Sequence, residues 1–361
     1  MTVIIGEKMG NKLKINFLGD TALNDDYIHL YNRGINPFLV FEPLLKNSVN
    51  IGNLECFIKG EKGENLLKNP RLSTSVETLG FLKNIYLNIA CLANNHVYDN
   101  LRDGFEKTTN VLDEYSIRYL GASLVKDEEE LPCILDKNGI RIALLNYVTR
   151  DTNPHLPQDC DVYVNFLDLN TAKKDIRKIK SEVDHVVLSL HWGGRCEGGL
   201  FPDFDQPAMA RELIDAGADL IIGHHSHTVQ PYEIYKGRYI FYSIGNFCFA
   251  NMYVNGRLSP LSKRGRRCFI PTFVFYQNKY EVKWNFYYNN TFSFIENRKY
   301  EKAFLFRSRV FPLIRNYRII WKIYFLFYRY VRPYILFILS NDISWADKAT
   351  RGFRMLTRVF V

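Results

Sequence analysis

Short runs of apolar, largely β-branched residues recur along this chain without the in-out alternation of a half-exposed strand. Leu13–Leu18, Asn88–Ala93, Arg141–Val148, His185–Leu190, Asp219–Gly223 and Tyr239–Ile244 are each nearly continuous in hydrophobicity. Runs of that length and kind suit strands covered on both faces. Between them lie segments with helical character. Thr74–Asn84 and Gly104–Tyr115 carry apolar residues at three-to-four spacing, Leu169–Ser181 is lysine-rich on one side, and Gln206–Ala216 stops at Gly217, where a C-cap glycine belongs. Strand and helix alternate, which predicts an α/β domain. From Cys268 to Asn290 two alternating runs flank Gln277-Asn278 and predict a β-hairpin that extends a sheet. The body is expected to span residues 1–295, with a separate extension over 296–361.

The runs share a second habit, in that polar, metal-capable residues stand where they end. Leu13–Asp20 ends in aspartate, Val49–Glu55 in glutamate, Ile89–His96 in Asn-Asn-His, His185–His191 in histidine and Leu220–His227 in His-His-Ser-His. Taken singly, such endings are ordinary turns or helix caps. Taken together they are harder to dismiss, because open α/β sheets gather ligands at the carboxyl ends of their strands. Three of the chain's eight histidines fall within four positions, at 224, 225 and 227. If that segment is extended, residues two apart point to one side. A pooled set of Asp, Glu, Asn and His suits Mn, Fe or Zn.

Gly19-Asp20-Thr21, Asn53-Leu54-Glu55, Ala93-Asn94-Asn95-His96, His191-Trp192-Gly193, the stretch Asp215–His227 and Tyr242-Ser-Ile-Gly-Asn-Phe247 occur in that order. Together they resemble the CapA-type proteins of bacterial capsule and poly-γ-glutamate biosynthesis, which are similar to calcineurin-like metallophosphoesterases. The resemblance covers residues 13 to about 285. It implies a four-layer α/β/β/α sandwich, metallophosphoesterase-like, with the site at the strand ends. By motif it implies a divalent transition metal, one or two ions, held by Asp20, Glu55, Asn95, His191, His225 and His227, with His224 as a substitute ligand. Asp20 and Glu55 would serve chemistry as well as metal, and His96 would protonate a leaving atom or steady an oxyanion. Gln230 and Glu233 follow on the same loop and are expected near substrate. Capsule synthase components are the implied protein partners.

Two positions depart from the family pattern. Where a histidine usually follows the first aspartate by two residues this chain has Ala22, and where a glutamate usually follows His-Trp-Gly it has Arg195, with Glu197 two further on. The charge reversal suits an anionic polymer or a peptide-like substrate held by the Arg195 guanidinium fork, with Glu197 beside it, or else it marks the loss of a metal ligand. With metal the expected chemistry is hydrolysis. Without metal the same carboxylates and imidazoles suit acid/base work such as epimerisation at a peptide α-carbon. A third reading is an accessory subunit that binds polymer without turning it over.

Charge separates the extension from the body. From Arg298 to Val361 there are fourteen Lys or Arg against three acids, a net of +11, whereas the preceding 297 residues hold 33 basic and 35 acidic groups. Arg315, Arg318, Lys322, Arg329 and Arg332 fall within about 100° of a helix circumference, and the rest of that surface is aromatic and aliphatic. Cations and Pro333 inside the apolar stretch argue against a spanning helix and for one lying on an anionic membrane surface. Packing on the body is the alternative, and the scarcity of a stacking platform argues against nucleic acid. Seven scattered cysteines without a C-x-x-C pair read as reduced thiols. The first fourteen residues lack a secretory apolar stretch, so a cytoplasmic location is expected, peripheral on the inner face of the membrane if the extension docks there.

Overall fold

The computed structural model describes residues 11–254, 257–332 and 335. It forms two compact units, one ending at Ser308 and one beginning at Arg309.

In the first unit, Leu13–Thr21, Val49–Leu54, Ile89–Cys91 and Arg118–Leu120 lie side by side and parallel. The hairpin Arg267–Phe275 and Tyr280–Asn289 joins this group antiparallel to Leu13–Thr21, and Phe294–Glu296 follows it. Asn246–Cys248 pairs with the last residues of Leu13–Thr21, completing an eight-stranded sheet. A second sheet of six strands has Ile140–Val148, His185–His191, Leu220–His224 and Arg238–Phe241 parallel, with Cys133–Lys137 and Tyr232–Tyr235 antiparallel at its edges.

The alternation of side chains along these strands builds the layers. Ile15, Phe17, Ile51 and Ile89 of the first sheet share one core with Ile142, Leu144, Val187 and Ile222 of the second. Leu18 and Ala90 turn the other way, into a second core with Tyr27, Phe38, Phe105 and Leu112 from the helices and loops outside the first sheet. On the outer side of the second sheet, Leu169–Lys180 and Gln206–Asp215 bury Ala172, Ile176, Ala210 and Leu213. The Asp168 carboxylate accepts from Thr171 N at 2.8 Å and starts the first of these helices. The order is helix, sheet, sheet, helix, with both parallel groups covered on both faces as their hydrophobicity demands.

One expected helix is absent. Thr74–Asn84 is instead the end of a two-residue strand, a 3₁₀ turn at Thr78–Gly80 and a four-residue helix, Phe81–Asn84. Ser75 Oγ accepts from Thr78 N, which starts the turn late, and Gly80 packs where a Cβ would meet Tyr31 Oη at 2.7 Å. The six cysteines whose side chains are described are free thiols.

The second unit includes the end of the helix Lys299–Asn316, a break at Tyr317, the helix Arg318–Leu326 and a π-helical turn at Phe327–Val331. Phe311 and Trp321 meet edge to face at 5.8 Å and form its small core. Ile319, Ile320, Ile323, Leu326 and Phe327 are exposed along one side. The proposed arc of cations is only partly visible: the side chains of Arg318 and Arg329 and all residues beyond 335 lie outside the described set. No helix among the described residues is long and apolar enough to cross a membrane.

Candidate metal centre

Five strand ends deliver polar side chains to one place. Asp20 closes the first strand and Glu55 follows Leu54, while His191 and His224 close two neighbouring strands of the second sheet. Asp20, Glu55 and His191 are all buried, and one ligand atom from each lies within 4.8 Å of the others. His225 Nδ1 stands 3.1 Å from His191 Nε2, and Asn95 Oδ1 lies 2.9 Å from the same nitrogen. His227 Nδ1 reaches Asp20 Oδ2 at 3.3 Å and its Nε2 lies 3.9 Å from Glu55 Oε2. The six residues named as metal ligands from the sequence therefore converge, and they come from both sheets. His224 Nδ1 also contacts Asp20 Oδ1, at 3.1 Å.

The backbone route to this cluster differs from the extended segment expected around the histidines. His225 and His227 both adopt positive φ, 86° and 55°. Left-handed backbone at two non-glycine residues is costly and persists only where surrounding contacts enforce it. Here Gly198 N donates to Ser226 O at 2.7 Å, and Asn246 Oδ1 lies 2.9 Å from His227 Nδ1. The motif Tyr242–Phe247 supplies the other wall. Its Gly245 carbonyl accepts from Asp20 N at 2.9 Å, and a Cβ on Gly19 would fall 2.0 Å from that same oxygen. Only glycine at position 19 lets the segment leading into Asn246–Cys248 lie this close to the first strand beside Asp20.

His96 sits next to the cluster, its Nδ1 bonded to Asp99 Oδ2 at 2.6 Å and its backbone N donating to Asn94 Oδ1 at 2.9 Å. Asp99 also accepts from Leu72 N at 2.7 Å and pairs through Oδ1 with Lys68 Nζ at 3.1 Å. The same ammonium donates to the backbone carbonyl of Asn95. Because Nδ1 is taken, Nε2 is the nitrogen of His96 left for a reacting group.

Burial and charge pull the groups apart. Burial opposes ionisation of Asp20, but hydrogen bonds from His224 and His227 outweigh it and hold its carboxyl well below the usual range. Glu55 moves the other way, pushed well above by burial and by the Asp20 charge. Burial drives His191 well down, with His225 adding to the effect, and lowers His225 to about 4. His227 is the exception: burial disfavours its cation, yet Glu55, Asp20 and Glu197 together raise it to about 10. Burial and Lys68 lower His96.

Asn53 is a site residue that spacing does not reveal, although it stands in the motif Asn53-Leu54-Glu55. Its Nδ2 lies 2.9 Å from Asp20 Oδ1, 2.8 Å from Glu55 Oε1 and 3.1 Å from His191 Nδ1. An amide NH₂ has two hydrogens and here faces three acceptor atoms. In addition, Glu55 Oε2 is buried without a hydrogen-bond partner. The acceptors thus outnumber the hydrogens of this one amide, a local imbalance that a divalent cation corrects. Oxygen and imidazole donors in this mixture fit Mn, Fe or Zn.

The residues expected to touch substrate are differently placed. Arg195 pairs with Asp203 at 3.4 Å and with Asp205, so its guanidinium is already engaged within its own loop. Gln230 Nε2 donates to the carbonyls of Gly199 and Phe201, each at 3.1 Å, and ties that loop to the histidine segment. Glu233 accepts from Arg211 at 2.6 Å and from Tyr242 Oη at 2.7 Å. Glu197 is exposed, yet its charge bears on the centre: the surrounding protein's desolvation opposes its ionisation, but His225, His227, His96 and Lys68 outweigh that and lower it. Ala22, the family's usual histidine position, is fully buried and offers no ligand.

Residues 14–251 match the family model described as bacterial capsule synthesis protein PGA_cap. The chain is 30% identical over 260 residues to the capsule biosynthesis protein CapA of Bacillus anthracis, covering 68% of this chain and 62% of that one. It is 30% identical over 236 residues to the PGA biosynthesis protein CapA of Bacillus subtilis (strain 168), covering 62% and 59%. A probable polyglutamine synthesis accessory protein of Mycobacterium tuberculosis is 26% identical over 170 residues, 44% of each chain. The chain thus spans about six-tenths of the length of the two Bacillus relatives. Among solved structures it is similar to a 5'-nucleotidase precursor from Thermus thermophilus, at 14% identity and a TM-score of 0.43 over 84% of this chain and 59% of that one. It is also similar to an NAD nucleotidase of Haemophilus influenzae, at 12% identity and 0.46 over 82% and 62%. With well over half its length matched, the chain belongs to the bacterial capsule synthesis protein PGA_cap family.

Proposed function

We propose that this protein is a metal-dependent, hydrolase-type enzyme of capsule or poly-γ-glutamate biosynthesis, acting on an anionic polymer or a peptide-like substrate. The observation that carries the reading is the surplus of buried acceptors around Asn53, set among ligands drawn from both sheets. Asp20, Glu55, Asn95, His191, His225 and His227 would hold one or two divalent ions. Such an ion supplies Lewis acidity and a water acidic enough to attack at neutral pH. Burial of the carboxylates keeps competing solvent out. Asp99 holds the Nδ1–H of His96, so that its Nε2 can take a proton from the attacking water and return it to the departing atom. Glu197 sets part of the charge a substrate meets there.

The test is direct. Metal content of the full chain is measured by mass spectrometry, and hydrolysis is followed with bis-p-nitrophenyl phosphate and with poly-γ-glutamate. A stoichiometric Mn, Fe or Zn is expected, falling about tenfold or more in Asp20→Asn and His227→Ala together with the rate. Wild-type protein that takes up no transition metal would sink the proposal. Metal-free exchange of the glutamyl α-proton would favour an epimerase instead. Retention of poly-γ-glutamate with neither metal nor turnover would favour an accessory subunit, the role in the name of the mycobacterial relative.

The second unit supports a membrane-surface role for the same protein. Its exposed Ile319, Ile320, Ile323, Leu326 and Phe327 form an apolar side on a segment that is strongly basic overall. That combination suits an anionic bilayer interface and a synthase assembled upon it.

A further inference from the structure

The loop from Lys59 to Leu72 sends one charged side chain inward. Lys68 is 7% exposed, whereas its neighbours Leu66 and Leu67 are 84% and 63% exposed. Burying an ammonium is expensive unless it is paired and fully hydrogen-bonded. Lys68 is held at the edge of the metal centre by an ion pair, Nζ to Asp99 Oδ1 at 3.1 Å, and by donating to the Asn95 carbonyl. The other oxygen of Asp99 takes His96 Nδ1 at 2.6 Å. Lys68, Asp99 and His96 therefore form a continuous chain from the loop to the imidazole that faces the pocket. Asp99 has one further tie, from Leu72 N on the same loop.

We propose that Lys68 is a positioning residue that acts through Asp99 to hold His96 in its Nδ1–H tautomer, leaving Nε2 directed at the substrate. The proposal rests on the hydrolase reading for its consequence but not for its geometry. A carboxylate beside a buried imidazole can rotate between partners. An ammonium on its second oxygen removes that freedom and fixes which oxygen meets the ring. The loop thus contributes to the proton relay at Nε2 without touching the reacting atoms, and it does so from 28 residues earlier in the sequence.

The test reads the ring itself. Full-length protein labelled with ¹⁵N-histidine, metal-stripped and again zinc-loaded, is examined by long-range ¹H–¹⁵N correlation, with His96 assigned by His96→Gln. Wild type and Lys68→Arg are expected to show the Nδ1–H tautomer, and Lys68→Met a mixture, with the zinc stoichiometry unchanged. In the same series kcat for bis-p-nitrophenyl phosphate should fall about tenfold in Lys68→Met with KM little changed, a part of what general acid catalysis contributes, and Lys68→Arg should restore it. A wild-type tautomer pattern in Lys68→Met overturns the proposal. Should Lys68→Met fail to fold, Lys68→Gln keeps a donor for the Asn95 carbonyl and is read the same way. If wild type does not hydrolyse the probe, the hydrolase reading is weakened while the tautomer comparison still decides the role of Lys68.

Discussion

His185 illustrates how one buried ring ties stability to pH far from the chemistry. Its Nε2 donates to the Tyr276 carbonyl, and its Nδ1 is buried without a hydrogen-bond partner. Adding a proton to Nδ1 would create a buried cation with an unmet donor. Burial accordingly lowers the group below its ordinary 6.5, against the pull of the Tyr276 bond and of Asp219 and Asp184, with Lys180 adding to the lowering. A histidine depressed in the folded state binds fewer protons there than in the unfolded chain. Its contribution is complete above pH 6.5 and is lost as pH falls below it. His185→Gln retains a donor for Tyr276 and removes the titration. Urea midpoints of metal-stripped wild type should therefore drop faster between pH 7 and pH 5 than those of the variant. Parallel slopes would contradict this account.

At the level of elements, the approach of the first strand to the Gly245 segment at Gly19 is the most exacting contact beside the site. Gly19→Ala drives a Cβ into the Gly245 carbonyl, and we expect a loss of about 1–3 kcal/mol from overpacking, with metal uptake impaired as well. Gly34→Ala is the control: unlike Gly19 it has positive φ, and nothing lies within 4 Å, so only backbone strain of about 1 kcal/mol applies. Denaturant midpoints that rank Gly34→Ala as the more damaging would refute the argument. These elements also show what the sequence discloses. Strands buried on both faces are legible because an uninterrupted apolar run such as His185–Leu190 has few other uses. The pooled strand endings follow from the crevice of an open sheet. A helix over Thr74–Asn84 is a misreading because periodicity alone cannot see a serine cap or a glycine pressed against a tyrosine. The histidine segment is legible in its residues and not in its geometry, since left-handed backbone at His225 and His227 depends on contacts from Gly198 and Asn246. Lys68 leaves no spacing signal, because Asn95 and Asp99 are remote in the chain, and Asn53 leaves one only toward Glu55, since Asp20 and His191 are equally remote.

For the whole molecule, charge and apolar exposure divide between the two units. The chain to Ser308 holds every residue of the proposed centre, and the remainder carries the basic, aromatic surface. Flotation with phosphatidylglycerol vesicles should recover the full chain, and recover much less of a chain ending at Ser308 or of Ile319→Asp/Ile323→Asp, with binding weakened by salt. Equal flotation of all three would remove the membrane role and leave the centre untouched. The derivation of the ligands from opposite sheets carries a consequence of another sort. An ion gripped by Asp20 and Glu55 on one side and His191 on the other would serve as a rivet through the sandwich. Chelation would then do more than silence the chemistry, for it would leave the shared core alone to hold the two sheets together, and the cohesion of the protein would follow the supply of metal in the cell.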